Sequence, residues 1–355
     1  MKNKSSNEEL SGNYFKIINR KGRMNLREIL PLEKPLSIFI EPTNICNFRC
    51  VACVQGSEET RNDLKPFCHM DIKLFKKIIN DIKAMKGGKL KLLRLAILGE
   101  PFVHPQFAEM LKLAKESEVA EVVDTFSNGS LLTPKLSEQL VEYGLDYIRF
   151  SIYSVIDERH KKVTRSEIKV KDIWKNIVTL KKIREEKKAN KPYILVKMFD
   201  TYGEENEKFI NMYKDIADEI GFEKVHDATK YTKNDLIKAY YGDEELEKIT
   251  REEYKKNLNN LVACPRPFMS LSINNLGDVL MCTHDAPKAT KIGNLQTEKL
   301  DDLWNGEKLF KFRKMQLSGN HSQNRLCKNC DWYKLFPEED NVDGMDIEMF
   351  SPKKR

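Results

Sequence analysis

Nothing in this chain of 355 residues stays apolar for long. No run approaches the ~20 apolar residues that cross a bilayer as a helix, which excludes a helical membrane protein. Residues 1–26, MKNKSSNEELSGNYFKIINRKGRMNL, hold neither a continuous apolar core nor a small-residue cleavage site. No export signal is read there, and the chain is expected in the cytoplasm. A strong charge of one sign is missing as well. The 61 Lys and Arg against 54 Asp and Glu leave a net charge of +7. Basic pairs such as Lys181-Lys182 and Lys187-Lys188 sit among glutamates, as on a solvated helix face. No basic stripe alternates with aromatics, so neither nucleic acid nor a membrane is an expected partner. Internal repeats are absent. An apolar content of 40% with 32% charged residues fits a globular protein, and the length suits about two domains.

What the chain does have is cysteine, eight of them, in metal-type spacings. Four disulfides are conceivable, but without an export signal a reducing compartment and metal ligation fit better. Cys46, Cys50 and Cys53 form a C-x3-C-x2-C array directly after the strand-like run Ser37-Ile38-Phe39-Ile40. Three thiolates on one short loop can hold three corners of a 4Fe–4S cube. No fourth cysteine follows closely, since Cys68 lies 15 residues past Cys53, so one iron is left open. A zinc knuckle would favour paired Cys-x2–4-Cys arms. A second set follows: Cys264, Gly277 and Cys282 in C-x12-G-x4-C spacing, then Cys327 and Cys330 as C-x2-C. Spacing alone leaves this set open between a structural zinc and an iron–sulfur cluster.

Between the two sets the chain alternates β-rich runs with amphipathic stretches. The pattern predicts strands at 36–41, 92–98, 121–126, 147–153, 193–199 and 224–227, and helices at 71–85, 106–118, 134–143, 171–188 and 204–220. Phe75, Ile78, Ile79 and Ile82 share one helical face. Six β/α units in series predict an α/β fold with a parallel sheet and helices outside. Periodicity does not separate an open barrel from a doubly wound sheet. In either, chemistry belongs at the carboxyl ends of the strands, where the motifs below fall. The expected organisation is an N-terminal extension at 1–35, the α/β region at 36–230, a helical linker at 231–261, a smaller domain at 262–335 and a mobile tail at 336–355.

The three-cysteine loop resembles that of the radical SAM superfamily, where the open iron chelates the amino and carboxylate groups of S-adenosylmethionine. Leu98-Gly99-Glu100-Pro101 resembles the family's Gly-Gly-Glu motif, and Ser127-Asn128-Gly129 its Thr-Asn-Gly turn. By the same resemblance Gly99, Glu100, Ser127, Asn128, Ser151 and Arg165 are candidate S-adenosylmethionine contacts, with Arg165 suited to a carboxylate. Ala52 departs from the family, which often carries an aromatic or histidine before the third cysteine. Residues from Cys264 to Cys330, with Pro265-Arg266-Pro267-Phe268, Ile292-Gly293-Asn294 and Leu303-Trp304-Asn305-Gly306, resemble a SPASM domain reduced to its twitch form. The resemblance implies a partial (β/α)6 barrel of the radical SAM type with a small C-terminal twitch-like iron–sulfur domain. It implies S-adenosylmethionine and two 4Fe–4S clusters as cofactors: one on Cys46, Cys50 and Cys53, and an auxiliary one on Cys264, Cys282, Cys327 and Cys330. An electron donor such as flavodoxin or ferredoxin would be a partner. The cluster layout is similar to the deoxy-scyllo-inosamine dehydrogenases, which implies oxidation of an alcohol on a sugar, cyclitol or similar small molecule. The alternative is modification of a peptide or protein substrate. With 45 residues before Cys46, the peptide-leader domain of many such enzymes is not expected. Cys68 and His69 are read as loop residues outside both sets.

Overall fold

In the computed structural model the described residues are 24–226 and 235–352. Nine strands form one sheet: β1 (Ser37–Ile40), β2 (Leu90–Arg94), β3 (Ala120–Ser127), β4 (Tyr147–Ile152), β5 (Tyr193–Phe199), β6 (Glu219–Glu223), β7 (Ser270–Ile273), β8 (Asp278–Leu280) and β9 (Lys291–Asn294). Their order is β6-β5-β4-β3-β2-β1-β7-β8-β9. The pairs from β6 through β1 to β7 are parallel, and β8 and β9 add an antiparallel edge. β1 and β6 do not pair, so the sheet is an open barrel rather than a closed one.

Helices cover the outer face because their apolar residues recur at helical spacing. The helix Ile72–Ala84 starts where the Asp71 carboxylate accepts from the Lys73 amide, and it buries Phe75, Ile78, Ile79 and Ile82. The helix Pro134–Glu142 starts at Thr133, with proline in its first turn. Opposite these helices, Ile38, Ile40, Leu93, Ile148, Phe150, Ile152, Ile194 and Val196 are fully buried. No described helix is long and apolar enough to cross a membrane.

The other face of the sheet carries charge. Register pairs Phe39 with Arg94, Arg94 with Asp124, Phe126 with Arg149, Ser151 with Lys197, and Phe199 with Glu223. Arg94 grips Asp124 through two bonds of 2.8 and 2.6 Å. The Phe126 ring has the Arg94 guanidinium 3.7 Å and the Arg149 guanidinium 3.6 Å from its centre. Glu223 accepts from both Arg149 and the buried Lys197. The inner face of the barrel sheet is thus lined by paired charges and aromatic rings.

Two expected elements fall elsewhere. The sixth strand, expected at 224–227, is Glu219–Glu223, and the helix expected to run to 220 ends at Tyr213. Glu219-Ile220-Gly221-Phe222-Glu223 is an edge strand with only Phe222 well buried, so its alternation is weak and the helical pattern overran it. Asp227 lies outside the described residues. β2 ends at Arg94, short of the expected 98, and the chain bends over 97–99.

The region 262–335 joins the barrel sheet, because β7 lies parallel to β1 from Ser37/Ser270 to Ile40/Ile273. The described part of the linker holds two helices, Leu236–Tyr241 and Glu244–Lys256. The stretch expected to be a mobile tail is packed as far as it is described. Val342 and Phe350 are buried in a small core with Leu26, Leu30, Ala263 and Phe268, and the Phe350 and Phe268 rings meet at 5.1 Å. Four of these side chains, Leu26 and Leu30 from one end and Val342 and Phe350 from the other, meet there, and neither terminal segment reads as an amphipathic element by itself.

Candidate functional site

The three-cysteine loop runs over the carboxyl ends of β1 and β2 and is fastened by its backbone. The amides of Arg49 and Val51 donate to the carbonyls of Thr164 and Val163 at 2.9 Å, zipping the loop onto the end of the helix Asp157–Thr164. Gln55 donates through Nε2 to the Asn44 carbonyl at 2.8 Å. Two glycines let these segments touch. A Cβ on Gly99 would sit 2.0 Å from the Thr43 carbonyl oxygen, and one on Gly56 would sit 2.2 Å from that of Cys50. Gly99 is therefore needed for close approach of the β2 end to the loop. Gly56 carries the same constraint and was not singled out in the sequence. Its place three residues past Cys53, next to Cys50 only in space, offers no local signal.

Glu100, Ser127 and Asn128 form one buried cluster behind the loop. The Glu100 carboxylate accepts from Ser127 Oγ at 2.8 Å, from the Asn128 amide at 2.8 Å and from the Phe102 amide at 3.2 Å. Burial raises its pKa to about 7 against these bonds. Asn128 reaches across to Asn47 in the cysteine loop at 2.9 Å. Arg165 is held in the left-handed region (φ 53°) at the end of its helix and donates to the Gly56 carbonyl at 2.6 Å. It thus comes against the cysteine loop, 109 residues from its partner. Ser151 sits half-buried on the inner face of β4, beside Lys197. Tyr153, missed by sequence reasoning, lies close enough to Cys50 to bear on its thiol.

The thiols fit a metal cluster chemically. Burial pushes Cys46 up to about 12, helped by the nearby Glu100 and Cys53. It pushes Cys50 well above the usual thiol range, helped by Cys53 and Cys46. Such thiols stay protonated until a metal displaces the proton. Among the described residues, no three His, Cys, Asp or Glu side chains close on the space of one ion; donors to the separate irons of a cube need not.

The second set gathers in the region after β7. The Cys264 amide donates to Gln316 Oε1 at 3.3 Å, and Gln316 Nε2 donates to Cys327 Sγ at 3.7 Å. The His284 amide donates to Cys282 Sγ at 3.4 Å. Burial raises the Cys282 and Cys327 thiols to about 12. Asp285 locks the loop after Cys282 by accepting from the Ala289 amide, the Thr290 amide and the Thr290 hydroxyl at 2.8, 2.6 and 2.6 Å. Cys68 accepts from Asn275 Nδ2 at 3.0 Å. Between the end of β2 and Cys282 lies a small cavity of about 20 Å³ whose wall includes Glu41, Asn44, Leu98, Asn275, Cys282 and Lys288.

Residues 40–233 match the radical SAM superfamily, and residues 264–331 match the SPASM iron–sulfur cluster-binding domain. The chain belongs to the radical SAM superfamily. This radical SAM enzyme uses S-adenosylmethionine and a 4Fe–4S cluster, and its SPASM domain brings auxiliary iron–sulfur. Among curated relatives, it is 28% identical over 309 residues to the tungsten-containing aldehyde ferredoxin oxidoreductase cofactor-modifying protein of Pyrococcus furiosus, covering 78% of this chain and 82% of that one. It is 32% identical over 78 residues to the S-adenosyl-L-methionine-dependent 2-deoxy-scyllo-inosamine dehydrogenase of Niallia circulans, covering 22% of this chain and 31% of that one. In fold it is similar to BtrN in complex with AdoMet and 2-DOIA (TM-score 0.54, 17% identity, 84% of this chain and 94% of that one). It is also similar in fold to Streptococcus suis SuiB bound to precursor peptide SuiA (TM-score 0.61, 16% identity, 86% and 73%).

Proposed function

We propose that this radical SAM enzyme oxidises an alcohol of a sugar, cyclitol or similar small polar metabolite. Cys46, Cys50 and Cys53 hold the cluster that binds S-adenosylmethionine. Cys264, Cys282, Cys327 and Cys330 fully ligate one auxiliary 4Fe–4S cluster that accepts an electron. The observation that carries this reading is the second cysteine set, four buried or half-buried thiols gathered after β7, since a cluster held by all four keeps no open iron and is left to accept or relay an electron. A relative whose match covers most of both chains acts, by its name, on a cofactor, which also supports a small-molecule substrate over a peptide.

When bound and reduced, the first cluster and S-adenosylmethionine supply a 5′-deoxyadenosyl radical that takes a carbon-bound hydrogen atom. The chain's residues bind and orient. An ionised carboxylate offers about four acceptor sites. Glu100 commits three of them to Ser127, Asn128 and Phe102, leaving one for the ammonium of the methionine moiety. Gly99 and the Ser127-Asn128 turn hold that carboxylate in place. Arg165 spends one Nη1 bond on Gly56 and keeps donors for a carboxylate. Ser151, on the inner face of β4 beside Lys197, is a further candidate contact. The overall step balances. The alcohol carbon would lose a hydrogen atom and its hydroxyl a proton, and the auxiliary cluster held by Cys264, Cys282, Cys327 and Cys330 would take up the remaining electron, leaving a ketone.

The test is iron, sulfide and zinc per chain after anaerobic reconstitution, for the parent and for C46A/C50A/C53A. About eight irons falling to about four are expected from two 4Fe–4S clusters. About four irons falling to none, with one zinc retained, would remove the electron acceptor and overturn the dehydrogenase reading.

A further inference from the structure

We infer that Gln316 and Arg266 poise the auxiliary cluster as an electron acceptor, Gln316 by a bond to a ligand sulfur and Arg266 by its charge. The inference rests on the reading of the second cysteine set as an iron–sulfur cluster.

Gln316 lies on the helix Glu307–Leu317 and is 1% exposed. Its carboxamide joins ligands from opposite ends of the domain, accepting from the Cys264 amide at 3.3 Å and donating to Cys327 Sγ at 3.7 Å. The helix therefore sets both the distance between two ligands and the hydrogen bonding of one. Arg266 follows Cys264 by two residues. Its Nε is buried with no hydrogen-bond partner, and its guanidinium lies 5.4 Å from the centre of the Phe336 ring. A buried N–H left unmatched by protein is costly unless another acceptor meets it. The Arg266 charge acts on Cys264, Cys282 and Cys330 alike.

A cluster held by four thiolates becomes one charge more negative on reduction. Donors to its sulfurs and a desolvated cation beside it favour the reduced form and raise its potential. The cation and carboxamide here do both. Backbone amides, such as that of His284 on Cys282 at 3.4 Å, add to the effect but leave no side chain to vary.

The experiment is a redox titration, followed by electron paramagnetic resonance, of the reconstituted full chain in the C46A/C50A/C53A background, which isolates the auxiliary cluster. R266Q is expected to lower the equilibrium constant for reduction roughly tenfold, about 59 mV for a one-electron couple, while R266K restores the parent value. Q316L is expected to shift it the same way. Q316E, with an anion in place of the donor, is expected to shift it further. If Q316L loses iron, the R266Q and R266K pair still decides the matter, since both leave the Gln316 bridge intact. An R266Q variant that keeps its four irons and titrates at the parent potential overturns the inference. Zinc in place of iron in the background protein would instead overturn the cluster reading on which it rests.

Discussion

Substituting Gly99 by alanine tests how the site is built. The added Cβ would meet the Thr43 carbonyl oxygen at 2.0 Å, its carbon at 2.8 Å and the Ile45 carbonyl oxygen at 2.9 Å, where ordinary contact begins at 3.4 Å. All three atoms are backbone, so no side chain can swing away, and the loop must move by more than an ångström. Overpacking of this kind costs about 1–3 kcal/mol, more where backbone must yield. The displaced segment leads straight into Cys46, and Gly99 also leads into Glu100, whose amide donates to the Ile45 carbonyl at 2.9 Å. Misplacement of a reacting centre by about 1 Å costs on the order of 100-fold in rate. G99A is therefore expected to melt lower, to cut 5′-deoxyadenosine formation about 100-fold, and to keep the auxiliary cluster. G203A is the control, because a Cβ there meets only the Thr201 carbonyl, at 3.8 Å. Melting, iron per chain and 5′-deoxyadenosine release would be measured on all three proteins. A G99A protein that matches the parent in stability and rate would refute the claim that close backbone approach is what this glycine provides.

Asp124→Asn replaces the carboxylate gripped by Arg94 inside the barrel, where the two side chains are 1% and 10% exposed. Breaking a buried pair on one side costs about 3–5 kcal/mol, so urea unfolding of the cluster-free chain should show a loss of that order, and a loss under about 0.5 kcal/mol, the scale of neutral surface changes, would contradict it. Glu41 and Glu100 are both raised to about 7 by burial. A carboxyl with a raised folded pKa lends stability that is full below its unfolded value and lost as pH rises through about 7. Melting of the cluster-free chain should accordingly fall between pH 5 and pH 8, by at most about 3 kcal/mol for each group. E41Q and E100Q should each flatten that slope, and an unchanged slope in the double variant would place its origin elsewhere.

Much of this protein was legible from local spacing. Cys46, Cys50 and Cys53 sit within one loop, so their gaps alone specify the geometry they can offer. The first five strands follow from β-rich runs, with β2 shifted to Leu90–Arg94 from the expected 92–98, and the helix faces from apolar recurrence, as at Phe75, Ile78, Ile79 and Ile82. Gly99, Glu100, Ser127 and Asn128 stand out by resemblance to family motifs near the carboxyl ends of strands, and the structure draws all four around the cysteine loop.

What the tertiary structure decided depends on contacts between residues far apart. β6 is an edge strand with one well-buried residue, so its position depends on pairing with β5 and not on its own pattern. The pairing of β7 with β1 joins residues over 230 positions apart into one sheet. Gly56 against Cys50, Tyr153 against Cys50, and Gln316 between Cys264 and Cys327 carry no motif, because backbone closure and side-chain reach are properties of the folded chain. The packing of Val342 and Phe350 onto Leu26 and Leu30 follows the same rule. Each terminal segment is too short to bury its apolar groups alone, and only the fold supplies the other.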